Sequence, residues 1–161
     1  MYAFWTAADE SVSPLDLDGG ALCRDHRIGR QMSLYRAALA RLGKPFPTEL
    51  PMMREIGVAE THEAAGRLAR PYLEKKYQAY VHWGQHRALP SDDDMTQAFD
   101  DLVRDRFILG DPDACAAEIA RCAEVTGATT MLCRIHGPGR PHEVVTKAIQ
   151  LLAEQVQPQL G

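Results

Sequence analysis

Apolar and polar positions alternate along this chain with two periods, and the period changes mark the elements. From Asp25 the apolar residues Ile28, Met32, Tyr35, Leu39 and Leu42 recur at helical spacing, and Gly43 offers a stop before Pro45 and Pro47. The run KPFPTELP that follows is an extended linker, because its prolines cannot continue a helix and push their predecessors toward extended backbone. MMREIGVA, Met52 to Ala59, reads as a strand. Thr61 is placed to cap a helix from His62 to about His82, with Ala65, Leu68, Ala69, Leu73, Tyr77 and Tyr80 on its buried side. Pro71 lies inside that pattern; an interior proline costs about 3 kcal/mol, so a kink or two abutting helices is expected there. Residues 85–98, with Pro90 and three consecutive aspartates from Asp92, read as a solvated loop before a short helix from Gln97 to Arg104.

The stretch RFILGDPDACAAEIARC, from Arg106 to Cys122, is the most sharply punctuated. Phe107 to Leu109 is an apolar run that stops at Gly110. Asp111 then stands where a helix cap belongs and Pro112 at the first helical position, where the missing N–H costs nothing. The carboxylate already supplies negative charge to that helix end, which makes the Gly-Asp-Pro corner a joint rather than an anion site. The helix is expected to run to Thr126, with Cys115, Ile119 and Cys122 on one face and Gly127 as its end. TTMLCRI, Thr129 to Ile135, is β-branched and apolar and is the strongest strand pattern in the chain. His136 to Gly139 forms the loop after it. Pro141 opens a last helix striped by Val145, Ala148, Ile149, Leu152 and Val156, and Pro158 ends it.

Helices and strands that alternate in this way imply α/β architecture with parallel strands and crossover helices. Two clear strands and one brief one, served by five helices, make only part of a sheet, since parallel strands need cover on both faces and neighbours on both edges. The chain therefore reads as an irregular N-terminal segment, 1–24, followed by a helix-rich portion of a larger barrel or sheet, 25–161.

Length and composition narrow the field of functions. The 161 residues suit one domain, and 45% hydrophobic with 25% charged residues is ordinary for a globular protein. A net charge of −4 gives no electrostatic case for nucleic acid or an anionic membrane. No apolar stretch approaches the roughly 20 residues of a membrane span. The opening MYAFWTAADES lacks a basic start and a long apolar core, so the expected location is the cytoplasm. Cys115 and Cys122 lie seven residues apart on a helix, about 10 Å, too far for a disulfide, and reduced buried thiols are expected. Cys23 and His26 lack a second half-site, and His82 with His86 has helical metal-ligand spacing broken by Gly84; no metal is expected.

Read in order, ALARLGKPFP, MMREIGVAETHEAA, ARPYLEKKYQAYVHWGQ, RDRFILGDPDACAAEIARCAEVTGATTMLCRI and HGPGRPHEVVTKAIQLLAEQVQPQL resemble the C-terminal part of luciferase-like monooxygenases. Val58-Ala-Glu-Thr61 looks like that family's ending of a late barrel strand, Ile108-Leu-Gly-Asp-Pro112 like the phrase before its last strand, and Val156-Gln-Pro158 like its terminus. The resemblance spans about residues 28–160. It implies a partial (β/α)8 barrel with two or three parallel strands, in a family of flavin- or deazaflavin-dependent oxidoreductases using FMN or coenzyme F420 and acting on small molecules. A whole barrel takes about 250 residues, so this chain corresponds to roughly its last quarter. The early strands that carry the family's flavin phosphate loop have no counterpart here. The resemblance thus implies a truncated or remodelled enzyme not active alone, or a non-catalytic flavoprotein-like remnant that dimerises through its exposed edges; a small dimerising α/β binding module with no redox role is the alternative outside that family.

Active sites of such barrels lie at the C-terminal ends of strands, here Glu60-Thr61 and Arg134 to Arg140. His136 could approach a flavin or substrate, or make only local loop bonds. Arg134 and Arg140 could hold a phosphate or carboxylate, or stay solvated. Gly137 and Gly139 could present backbone N–H groups to an anion, or make a tight turn. The aromatic group Tyr72, Tyr77, Tyr80 and Trp83 reads as a packed helix face. Exposed strand edges and unmatched helix stripes together lead to the expectation of a homo-oligomer.

Overall fold

A computed structural model describes residues 26–88 and 95–160. The elements in order are α1 (His26–Arg41), β1 (Pro51–Val58), α2 (His62–His82), α3 (Phe99–Arg106), β2 (Phe107–Gly110), α4 (Pro112–Thr126), β3 (Thr130–Arg134) and α5 (His142–Leu151). A π turn over Leu152–Val156 and a 3-10 turn over Gln157–Gln159 extend α5. The segment 1–24 and the aspartate run at 92–94 lie outside the described residues. The part of the expected 85–98 loop that is described begins as a 3-10 turn, Gln85–Ala88.

The expected start of α2 and both expected ends of α4 are those the chain adopts. Thr61 Oγ1 accepts from Ala64 N at 3.1 Å, and Asp111 Oδ1 accepts from Ala114 N at 2.9 Å. Gly127 closes α4 in the left-handed conformation at φ 76°, where it donates to the Ala123 carbonyl. One expectation is corrected in part. Pro71 does not divide its segment into two helices, because α2 runs unbroken through it from His62 to His82. Pro71 can donate no helix bond through its nitrogen, and 20 other residues with docking against β1 and β2 outweigh that loss.

The three strands form one parallel sheet in the order β2-β1-β3. Only the C-terminal half of β1 pairs with β2, from Glu55–Phe107 to Val58–Gly110. Only its N-terminal half pairs with β3, from Pro51–Thr130 to Glu55–Arg134. Glu55 is thus the one residue of β1 in both registers. The chain steps from β1 to one side, then from β2 back across β1 to the other side. Right-handed crossovers in opposite directions place their helices on opposite faces of the sheet.

The core shows that consequence. Ile56, Val58 and Ile108 share one face and pack on Cys115, Ala116, Ile119 and Cys122 of α4, with Leu151 and Val156 beyond. Phe107 and Leu109 point the other way, onto Ala65, Ala69 and Leu73 of α2 and Phe99 and Leu102 of α3. Cover is complete around β2 and the end of β1, and it fails toward β3. Met53 and Leu132, register partners on the α2 side of the sheet, are 50% and 48% exposed. Helix α1 has the same character. Its Leu34 and Tyr35 are exposed, and Arg36 ties it to the Thr126 carbonyl at 3.1 Å. Among the described residues no helix is long and apolar enough to cross a membrane.

Candidate functional site

The residues singled out after β3 do converge. Side chains at Met53, Glu55 and Gly57 alternate onto the α2 face of β1. Gly57 lets α2 and a guanidinium approach closely: a Cβ there would stand 2.9 Å from Leu109 Cδ2, 3.5 Å from Arg140 Nη2 and 3.7 Å from Ala69 Cβ. Beside this gap Glu55 receives Lys76 Nζ from α2 and Arg134 Nη1 from β3, the latter at 3.1 Å. Arg134 also donates through Nη2 to Met53 Sδ at 3.1 Å. Arg140 reaches back to donate to the Ile135 carbonyl and lies 6.0 Å from the centre of the Tyr72 ring.

A void of about 20 Å³ sits between these groups, lined by Glu55, Tyr72, Lys76, His136, Gly137 and Arg140 among others. It has room for about one water. Arg140 Nε faces no hydrogen-bond partner although the atom is buried. Burial draws the Arg140 guanidinium down from its ordinary range, with the Glu55 charge acting the other way. His136 itself is exposed, and Gly139 turns the loop at φ 83° with Tyr72 Cε1 3.8 Å from where its Cβ would be. The structure therefore gathers Arg134, Gly137 and Arg140, with His136 at the rim and Gly139 behind. It adds two residues that the sequence reading did not single out, Glu55 and Lys76, and it brings in Tyr72, which that reading took as part of a packed helix face. The signal for Glu55 was a carboxylate on the period-2 face of an apolar strand, two residues before a glycine.

The other strand end opens on a wider cleft of about 330 Å³, between the start of α2 and α5. Val58, Ala59, Ala64, Leu68, Val144 and Leu151 make an apolar floor, and Glu60, Arg67, Glu143 and Lys147 make the rim. Lys147 Nζ stands 3.9 Å from Glu60 Oε1 and both are largely exposed, so this pair is a loose one.

An FMN needs a slot for its ring and a positive cradle for its phosphate. Here the two properties lie in different places. The cationic group around Glu55 has the charge but room for only one water, while the cleft has volume with two acidic and two basic side chains on its rim. The described residues do not fit FMN by themselves.

The remaining candidates resolve as packing. Tyr77 stacks edge-on against Phe107 at 5.1 Å and against Tyr80 at 5.5 Å, while Trp83 at the end of the row is exposed. Asp111 caps α4 and leaves the Gly-Asp-Pro corner a joint. His82 ends α2 whereas His86 belongs to the following 3-10 turn, and no group of three metal-ligating side chains forms among the described residues. Cys115 and Cys122 are buried free thiols, Cys133 is an exposed one, and Cys23 lies outside the described residues.

No family model and no curated protein matches the chain. Solved structures do. The monooxygenase RslO1 from Streptomyces bottropensis superposes with a TM-score of 0.65 at 21% identity, over 88% of this chain and 40% of that one. The oxygenating constituent of 3,6-diketocamphane monooxygenase from Pseudomonas putida, a type II Baeyer-Villiger enzyme solved with FMN, gives 0.61 at 19% identity, over 83% and 40%. Apo-MsnO8 gives 0.54 at 19% identity, over 81% and 41%. The fold is therefore a partial luciferase-like barrel, helix-rich with three parallel strands. The chain spans about two fifths of the length of the structures it matches.

Proposed function

We propose that this chain is a portion of a luciferase-like flavin-dependent monooxygenase that does not form a working flavin site alone. The observation that supports it is the likeness to an FMN-bound Baeyer-Villiger monooxygenase over 83% of this chain and only 40% of that one. FMN, rather than coenzyme F420, is the cofactor this neighbour favours. A flavin supplies the redox chemistry with oxygen in such enzymes, and the protein supplies position and a dry enclosure. In this reading the cationic group of Arg134, Arg140 and Lys76 attracts an anionic group of cofactor or substrate. The apolar floor at Val58 and Leu151 would form part of the enclosure for a small-molecule substrate. Glu60 stands on the rim of that floor, and His136 stands beside the cationic group.

The test is a thermal melt of the purified chain with increasing FMN and, in parallel, riboflavin. The expected result is a small rise in midpoint at millimolar FMN, weaker with riboflavin because it lacks the phosphate. Ligand-linked stabilisation follows the ratio of ligand to its dissociation constant, so weak binding registers only at high concentration. A rise as large with riboflavin as with FMN would show that the cationic group does not read the phosphate. Sub-micromolar binding of one FMN per chain would keep the flavin reading and overturn the incomplete site.

A further inference from the structure

The geometry points to β3 as a self-complementary edge, through which two copies of this chain pair antiparallel into one six-stranded sheet. Among the described residues β3 is hydrogen-bonded to β1 alone, so its outer side presents a row of backbone donors and acceptors with no strand against them. Exposed edges in soluble proteins are ordinarily guarded by lysine, proline, an inward charge or a bulge. Thr130-Met-Leu-Cys-Arg134 has no lysine or proline and its register with β1 is continuous; its one inward charge, Arg134, stands at the end of the strand against the Glu55 carboxylate and leaves Thr130 to Cys133 without a guard of this kind.

The pattern also suits a second copy rather than a different partner. With a two-fold axis at Leu132, Leu132 meets Leu132, Met131 meets Cys133 and Thr130 meets Arg134. Apolar side chains oppose apolar ones, a hydroxyl opposes a guanidinium, and no like charges meet; residues opposite each other in this register share a face of the sheet. Leu132 and its neighbour Met53, each about half exposed, would then continue across the axis as one apolar strip made by both copies. A highly charged partner is a poorer match for this edge, whose one charged side chain, Arg134, already pairs with Glu55. Closed two-fold pairing uses the same edge on both copies and leaves no further β3 edge to propagate a fibre.

The experiment is light scattering on the full chain after size exclusion, at micromolar concentration, combined with thiol cross-linking. A mass of twice 17.9 kDa is expected. Leu132→Lys places two lysines opposite each other and is expected to shift the chain to the monomer with its helical spectrum retained. Cross-linking uses the Cys23→Ser chain and a short bis-maleimide. Cys115 and Cys122 are buried, so Cys133 is the reactive thiol, and a covalent dimer that disappears in Cys133→Ser is expected. A monomeric parent chain would overturn the inference. So would a dimer that survives Leu132→Lys and resists cross-linking through Cys133, since another surface, or residues 1–25 laid over the edge, would then be responsible. If Leu132→Lys fails to melt cooperatively, the cross-link on the otherwise native chain decides alone.

Discussion

Glu55 and Arg134 stand opposite each other at the last rung of the β1–β3 ladder, and their side chains meet at 3.1 Å. Lys76 joins the same carboxylate oxygen from α2. Three elements that are distant in sequence are thus tied at one carboxylate whose side chain is only 16% exposed. Glu55→Gln keeps the shape and removes the carboxylate charge that Lys76 and Arg134 both face. Removing one partner of a fully buried pair costs about 3–5 kcal/mol; partial exposure here brings the expectation to about 1–3 kcal/mol. Urea melts of the two forms measure it. The loss should shrink in high salt as the freed cations are screened, and an equal loss at all salt concentrations would count against the electrostatic account.

Gly57 is the second point where β1 decides the site. A methyl group there would sit 2.9 Å from Leu109 Cδ2, closer than real contacts allow, and Leu109 is held between α2 and α3. Gly57→Ala is expected to cost about 1–3 kcal/mol through overpacking. Combining it with Leu109→Val, which shortens the obstructing side chain, should recover part of that loss. A midpoint unchanged by Gly57→Ala alone would show that Leu109 moves aside freely.

Local chemistry made the helices legible. Thr61, Asp111 with Pro112, and Gly127 are signals read by the backbone within four residues; α2 begins on the first, and α4 begins and ends on the others. The three strands were legible as apolar runs, but their spatial order was not. Nothing within β1 announces that it lies between β2 and β3, because that order depends on which way each crossover turns. For the same reason the partners of Glu55 were hidden: Lys76 is 21 residues away and Arg134 is 79. Arg134, Gly137 and Arg140 were recoverable because they flank a strand end, where position along the chain and position in space coincide. The exposure of Met53 and Leu132 ran against their patterns, since an apolar run states what a strand can bury and not what is present to cover it.

Asp111→Ala removes the bond from its carboxylate to the Ala114 amide. A lost helix cap of this kind costs about 0.5–2 kcal/mol. Asp111→Asn or Asp111→Ser should restore most of it, since each can accept the same bond. Thermal melts check the series, and a chain in which Asp111→Ala melts as the parent does would show that the α4 start is held by packing instead.

High pH should unfold this chain through one buried acid, Cys115, and one partly buried acid, Tyr77. Burial pushes the Cys115 thiol from 9.0 up to about 12, and the nearby Asp111 charge adds to the effect. Burial likewise pushes the Tyr77 phenol from 10.0 up to about 12, against an opposing pull from the Arg106 charge. Both groups hold their protons more tightly when folded. Their contribution to stability is therefore fully present below the unfolded values, near pH 9 and 10, and is lost as pH rises toward 12. Each unit of difference is worth about 1.4 kcal/mol, so the pair can remove several kcal/mol from a total that is typically about 5–15 kcal/mol. Urea midpoints are expected to hold steady from pH 7 to 9 and to fall steeply from pH 10 upward. Tyr77→Phe keeps the ring that packs on Phe107 at 5.1 Å and removes the phenol, so its midpoint should fall less steeply between pH 10 and 12. Tyrosinate absorbance in the folded chain supplies an independent reading, because one phenol should ionise only as the fold is lost. Parallel curves for the parent and Tyr77→Phe would show that Tyr77 ionises without resistance in the folded chain, and would remove it from the account of alkaline unfolding.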